Sequence, residues 1–187
     1  VTGAANVGVG YAALNSLSTG SNNTAVGRDA LVSLTTAGGC TAVGHKAARV
    51  NLYSGTTAVG NNALAANTTG ENNTAVGSDA LAQNTTGSQN TALGYYALYT
   101  ITDAGHHNTA IGAQALHANT TGYNNASVGA YSLLSNTTGN FNTAVGKDAL
   151  GANTTASNNT AVGHDALTAN TTGDQNVAVG ALALDAN

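Results

Sequence analysis

The sequence predicts an all-β fold, a β-solenoid in which each coil is one copy of a short repeat. The motif Asn-Thr-Ala-Val-Gly, or a close variant, ends at eleven glycines between Gly10 and Gly180, so that ten intervals cover 170 residues and the mean period is 17. Pairs of helices need about 33 residues or more per repeat. An Asn-Thr-Thr-Gly run and β-branched Thr and Val oppose a single helix in each unit. We expect one repeat domain over residues 1–187, a fragment of a longer fibre.

The composition excludes several classes of protein. Only 6% of the 187 residues are charged, against about 25% in an ordinary soluble domain, and aromatic residues make up 4%. A nucleic-acid groove needs clustered positive charge, but the chain has four basic residues. No apolar run approaches the ~20 residues of a membrane span. We therefore expect a slender repeat protein that binds no nucleic acid and inserts no segment into a membrane.

Each coil is predicted from the consensus Asn-Thr-Ala-Val-Gly-x-Asp-Ala-Leu-x-x-Asn-Thr-Thr-Gly-x-Asn, with positions numbered from the glycine that ends the motif. A first short strand runs through Thr-Ala-Val, at positions −3 to −1. A second short strand is predicted through Ala-Leu, at +3 and +4. The corner at Asn-Thr-Thr-Gly suits Asn and Gly, which tolerate left-handed backbone. Stacked coils lie about 4.8 Å apart, so eleven of them form a rod roughly 50 Å long.

The distribution of charge predicts which positions are buried. Positions −4 to 0, +3 and +4 carry no charged residue in any unit, so we expect buried columns of Val, Leu and Ala. Adjacent residues of a strand point to opposite faces, and both faces of Thr-Ala-Val lack charge. One face then packs inside the coil, and the other is predicted to pack on copies of the chain. The alternative is an uncharged outer face that packs on nothing.

Asparagine fills position −4 in nine of the eleven units. Stacked amides can form hydrogen-bonded ladders, which predicts a structural role for this column. The alternative is an ordered polar lattice that binds a ligand or ice. The members assigned to the ladder are Asn23, Asn73, Asn90, Asn108, Asn125, Asn142, Asn159 and Asn176.

The repeat resembles two groups of fibrous proteins. The motif Asn-Thr-Ala-Val-Gly-x-x-Ala-Leu, with its variants at Asn6–Gly10 and Asn176–Gly180, is similar to the YadA-like heads of trimeric autotransporter adhesins. The longer form, with Asn-Thr-Thr-Gly between the cores, resembles repeats of bacteriophage tail fibres. The resemblance implies a left-handed parallel β-roll, an intertwined or side-by-side homotrimer, an extracellular location on a virion or a bacterial surface, and a role in attachment. The 17-residue unit and Thr at −3 depart from the adhesin pattern.

No catalytic constellation emerges from the sequence. Nucleophile-elbow, phosphate-loop and zinc-protease motifs are missing, so an enzyme is not expected, nor a cofactor. Cys40 replaces an asparagine of a buried column and is interpreted as an inert small residue. Asp148 and Asp165 lie on successive coils, where they are predicted to be solvated corner residues. A shared cation such as Ca²⁺ is the weak alternative.

The 18-residue interval between Gly94 and Gly112 is the most distinctive place in the chain. Solenoids commonly carry function where they depart from the repeat, and aromatic rings with polar neighbours suit sugars. A loop that merely decorates a shaft is the alternative, and a metal site that includes Asp103 is disfavoured because adjacent histidines rarely converge on one ion. The candidate residues for receptor or glycan contact are Tyr95, Tyr96, Tyr99, His106, His107 and Tyr123.

These observations predict a structural and adhesive fibre segment whose first partner is itself and whose second is a host glycan or receptor. The alternative, from a different class, is a ligand-binding solenoid that recognises ice or a repetitive glycan through its Thr and Asn columns.

Overall fold

The chain winds into stacked coils, each of which contributes one strand to a single parallel sheet. The computed structural model describes residues 2–102 and 105–185. Within these ranges every regular element is a strand, so the predicted all-β solenoid is confirmed. The strands, which also number the coils, are β1 Val7–Val9, β2 Thr24–Val26, β3 Thr41–Val43, β4 Thr57–Val59, β5 Thr74–Val76, β6 Thr91–Leu93, β7 Thr109–Ile111, β8 Ala126–Val128, β9 Thr143–Val145, β10 Thr160–Val162 and β11 Val177–Val179.

The strands follow chain order in the sheet, and equivalent residues of the repeat lie opposite one another. Ala92 of β6 pairs with Ala110 of β7 across the 18-residue interval. Ala42 of β3 pairs with Ala58 of β4 across the 16-residue interval. The turns therefore absorb the inserted and missing residues, and the register of the sheet is kept.

One face of the sheet is inside the coil and the other faces solvent. The alanine at −2 is fully buried in the central strands, as at Ala75 and Ala144. The flanking Thr and Val side chains point outward, and Val128 keeps 36% of its surface exposed. The expectation of a buried Val column is thus wrong for the single chain. The coil is too narrow to enclose both faces of a strand, and it encloses the face with the smaller side chain.

The predicted second strand is also wrong, because residues +1 to +6 of the described coils form turns. Positions +2 and +4 have left-handed backbone, with φ of 56° at Asp148 and 52° at Leu150. The N–H of Asp148 donates to Ala130 of the preceding coil, and the N–H of Leu150 donates to Ala166 of the following coil. The turns thus bond to both neighbouring coils and satisfy the backbone as a strand would.

The core between the strand and the turn is built from small residues. Positions −2 and +3 are Ala in most coils, and Leu at +4 is fully buried in the central coils. In coil 8 both alanines are replaced by serine, and the hydroxyls of Ser127 and Ser132 bond to each other at 2.5 Å. This pair shows that positions −2 and +3 meet across the coil. Little room remains for larger side chains, which explains the unusual composition.

Candidate functional site

The asparagines at −4 lie inside the coil and bond from one coil to the next. The backbone N–H of Asn125 donates to Oδ1 of Asn108 at 3.0 Å, and that of Asn142 donates to Oδ1 of Asn125 at 2.9 Å. Each side chain therefore accepts a bond from the backbone of its neighbour, and direct amide-to-amide bonds are the exception. Bonds of the same kind join Asn6 to Asn23, Asn23 to Cys40, Asn73 to Asn90, Asn90 to Asn108, Asn142 to Asn159 and Asn159 to Asn176.

A second amide column, at +7, carries the direct amide-to-amide ladder. Nδ2 of Asn136 donates to Oδ1 of Asn119 at 2.9 Å, and Nδ2 of Asn153 donates to Oδ1 of Asn136 at 2.8 Å. The carbonyl of Gly139 accepts bonds from both Asn125 and Asn136, so the two columns share an acceptor at the Asn-Thr-Thr-Gly turn. Because both columns are almost entirely buried, their amides are closed to a ligand.

The surface that remains open along the sheet is a stripe of Thr and Val. We define the outward face as the side chains at −3 and −1 of the eleven strands. Residues at −1 are half-buried or exposed in every coil, with Leu93 at 46% and Val145 at 38% exposure. None of these positions is charged. The outward face is therefore flat, regular and weakly polar.

The six candidate contact residues do not form one site. Tyr95, Tyr96 and Tyr99 follow β6, whereas His106, His107 and Tyr123 precede β7 or β8. Because the strands are parallel and in register, residues that follow the strands lie at one end of the strands, and residues that precede them lie at the other end. The outward face separates the two groups.

The first group is a compact cluster of rings that sequence inspection left incomplete. Tyr95 and Tyr96 meet edge to face, with centroids 4.4 Å apart, and Tyr96 and Tyr99 are 4.7 Å apart. His117 of the next coil stacks on Tyr99 at 5.5 Å with an interplanar angle of 14°. His117 was missed, although both residues occupy position +5 of their coils and the repeat alignment could have found it.

The electrostatics of this cluster favour uncharged rings at neutral pH. Partial burial lowers the pKa of His117 below its usual value. The nearby carboxylate of Asp79, with smaller effects from the other rings, raises the pKa of the Tyr96 phenol. The imidazole and the phenol are therefore both neutral near pH 7.

The second group is more open. The rings of His106 and His107 lie 6.3 Å apart and are tilted by 60°. Nδ1 of His106 accepts a bond from the backbone N–H of Ser88 at 2.9 Å, which uses one of its two ring nitrogens. Tyr123 meets Phe141 edge to face at 5.2 Å. Asp103, the third member of the disfavoured metal site, lies outside the described residues.

The aspartates at +2 pair with the residue that precedes them. Arg28 contacts Asp29 at 3.3 Å, His164 contacts Asp165 at 3.0 Å, and Lys147 contacts Asp148. The hydrogen bond to Asp148 raises the pKa of Lys147. Ligand atoms of Asp148, His164 and Asp165 lie within 4.8 Å of one another. These three side chains could approach one cation, but an ammonium already occupies one of the carboxylates.

Cys40 occupies the interior, as expected for a small residue of the −4 column. Its thiol is fully buried, and Sγ contacts the carbonyl of Tyr53 at 3.3 Å. Burial raises its pKa above the usual value. A buried, protonated thiol is a poor nucleophile.

Comparisons with models of protein families, with curated proteins and with solved structures find no match for this chain. The resemblance to adhesin heads and tail fibres thus stays a prediction from the repeat. Among the described residues there is no helix of the length and apolar character needed to cross a membrane.

Proposed function

We propose that the chain is a structural segment of an extracellular attachment fibre and that it assembles with copies of itself through the outward face. The exposed, uncharged Thr and Val stripe is the observation that carries this proposal. Such a stripe is unusual on an open sheet face, because parallel sheets are normally covered on both faces and solvated faces are normally polar.

The size of the outward face supports an interface. Eleven strands spaced by about 4.8 Å and three residues wide span roughly 500 Å². Contiguous apolar surfaces of several hundred Å² commonly mark interaction sites, and the −1 column of Val, Leu and Ile supplies the apolar part of this face. A stiff rod suits a fibre, because sheet bonds and turn bonds join successive coils and buried amides reinforce most of them. The number of copies, three, and the location on a virion or a bacterial surface come from the resemblance.

Light scattering on the purified chain tests the assembly. We expect the mass of a trimer at micromolar concentration, and loss of that mass when Val76→Lys places a charge on the outward face. Gln83→Lys, at an exposed turn position of the same coil, is the control and should keep the assembly. A monomeric wild-type chain would contradict the proposal, and a dimer would contradict only the number three.

A ligand-binding solenoid is the second candidate, and the regular spacing of outward Thr side chains favours it. Because the Asn columns are buried, this candidate would use a row of Thr hydroxyls and Val methyl groups about 4.8 Å apart along the rod. Ice recognition predicts thermal hysteresis in solution that Thr109→Lys reduces. Self-association on the same face predicts none.

A further inference from the structure

The aromatic residues of the chain are concentrated in the middle of the rod. Six of the eight lie between Tyr95 and Phe141, with three of the five histidines between His106 and His117. Over residues 80–146 the sequence has one charged residue, Asp103, which lies outside the described residues. The most aromatic stretch of the rod is therefore also its least charged.

We define the ring cluster as Tyr95, Tyr96, Tyr99 and His117. Its rings hold one another in place through the contacts described above, while Tyr95 keeps 54% of its surface exposed. Aromatic side chains that are already ordered lose little conformational entropy on binding. The cluster follows the carboxyl ends of β6 and β7 and includes no residue of the outward face, and the proposal takes it to stay accessible when copies cover that face. The ring cluster is thus a pre-ordered apolar platform that also carries three phenol hydroxyls.

We propose that the ring cluster binds an uncharged polysaccharide. Apolar C–H faces of sugar rings can pack on the exposed aromatic surface, and phenol and imidazole groups can exchange hydrogen bonds with sugar hydroxyls, since Tyr combines an apolar body with a polar tip. This inference rests on the proposed function in one respect, because it assumes that self-association uses the outward face.

The charges around the cluster select against acidic polymers. The backbone N–H of Tyr96 donates to the carbonyl of Ser78 at 3.1 Å, next to Asp79 in the chain. The carboxylate of Asp79, which raises the pKa of Tyr96, would repel a uronate or a sulfate. No Lys or Arg lies between Arg49 and Lys147, so anionic groups would find no cation there to pair with. No pocket is found in the described part of the chain, which favours a polymer that lies along the rod over a small enclosed ligand.

Affinity electrophoresis of the full chain tests the proposal directly. The gels contain dextran, mannan, a mixed-linkage β-glucan or galactan as neutral probes, and alginate or hyaluronan as acidic probes. We expect retardation by at least one neutral polymer and none by the acidic ones. Tyr95→Ala and Tyr99→Ala should each lower the association constant derived from the retardation by about tenfold, as the loss of one aromatic contact implies.

Tyr11→Ala is the matched control because Tyr11 occupies the same repeat position as Tyr95 and is 76% exposed. It should bind like the wild type. The proposal is overturned by any of three results: no retardation by the neutral polymers, equal retardation of the wild type and both cluster variants, or stronger binding of the acidic polymers. Circular dichroism verifies folding of each variant. Light scattering on the same samples reads self-association separately, so failure of one proposal is distinguished from failure of the other.

Discussion

The regular coils 7 to 10 and the irregular coil 6 differ at the buried position +7, which is asparagine in the regular coils and isoleucine in coil 6. In coil 8, Asn136 donates to Asn119 and accepts from Asn153, so its amide is bonded on both sides. In coil 5, Asn84 donates to Asn67, but its buried Oδ1 has no partner. Position +7 of coil 6 is occupied by Ile101 in place of an asparagine. The amide ladder therefore stops where the repeat lengthens.

This difference shows which features every coil must keep and which features one coil can change. The sheet register and the alanine core pass through coil 6 unchanged, whereas the amide column is interrupted there. The same coil carries three of the four rings of the ring cluster on its surface. The repeat thus enforces the strand and its buried alanine strictly, and it tolerates change at the turn, where the surface differs between coils.

Replacing the glycine that ends the motif should have the largest effect, and an equal one in both regions. Gly94 and Gly146 have φ of 143° and 135°, and a Cβ at either would overlap a carbonyl of the next coil. We expect Gly94→Ala and Gly146→Ala each to lower the free energy of unfolding by about 4 kcal/mol, measured by urea denaturation.

Gly39→Asn provides the control for these two variants. Gly39 has φ of 71° and open space where a Cβ would lie, and asparagine occupies the same left-handed position at Asn22 and Asn72. This variant should be as stable as the wild type. A much smaller loss at Gly94 than at Gly146 would show that coil 6 can relax, and would extend the regional difference to the backbone.

Exchanging the residues at +7 should reveal the regional difference itself. Asn136→Ile removes three hydrogen bonds. It leaves the buried Oδ1 of Asn119 without a partner and Nδ2 of Asn153 with its bond to Ala156 alone, at a cost of about 3 kcal/mol. Ile101→Asn offers a hydrogen-bond donor to Oδ1 of Asn84 but loses the burial of an apolar side chain. Because these two effects oppose each other, the free energy of unfolding of this variant should differ from that of the wild type by less than about 1 kcal/mol. Equal losses in the two variants, measured by urea denaturation, would contradict the interrupted ladder.

The sequence predicts the features that recur in every coil, but it does not predict features that depend on contacts between neighbouring coils. The period predicts the register and the buried Ala and Leu columns, because a residue type fixed over eleven coils must satisfy one environment. The turn at Leu150 was mistaken for a strand, since leucine has no preference for left-handed backbone and only bonds to both neighbouring coils stabilise it there. His117 lies in another coil than its partner, Tyr99, and only the alignment of both residues at position +5 brings them together.

The stack between Tyr99 and His117 should contribute modestly, and only in coils 6 and 7. A double-mutant cycle with Tyr99→Ala and His117→Ala isolates the interaction. We expect a coupling energy of about 1 kcal/mol, typical of a stacked aromatic pair. Tyr11→Ala combined with His117→Ala is the control pair and should be additive. Additivity of the Tyr99 pair as well would show that the rings merely lie near each other.

The smallest expected effect is the pH dependence that His117 adds to the central coils. Its pKa is lowered in the folded chain because burial disfavours the charged ring, so the unfolded chain, with a pKa of about 6.5, binds the proton more readily. Stability therefore falls as the pH drops through about 6.5, and the loss is complete below the folded pKa. Between about pH 7.5 and about pH 5, the urea midpoint of the wild type should fall further than that of His117→Gln.

Tyr99→Ala uncovers the imidazole and should show a smaller fall than the wild type, whereas Tyr11→Ala should match the wild type. Identical pH profiles for the wild type and His117→Gln would mean that the imidazole is as well solvated in the cluster as in the unfolded chain, and the ring cluster would then be a looser platform than its ring contacts indicate.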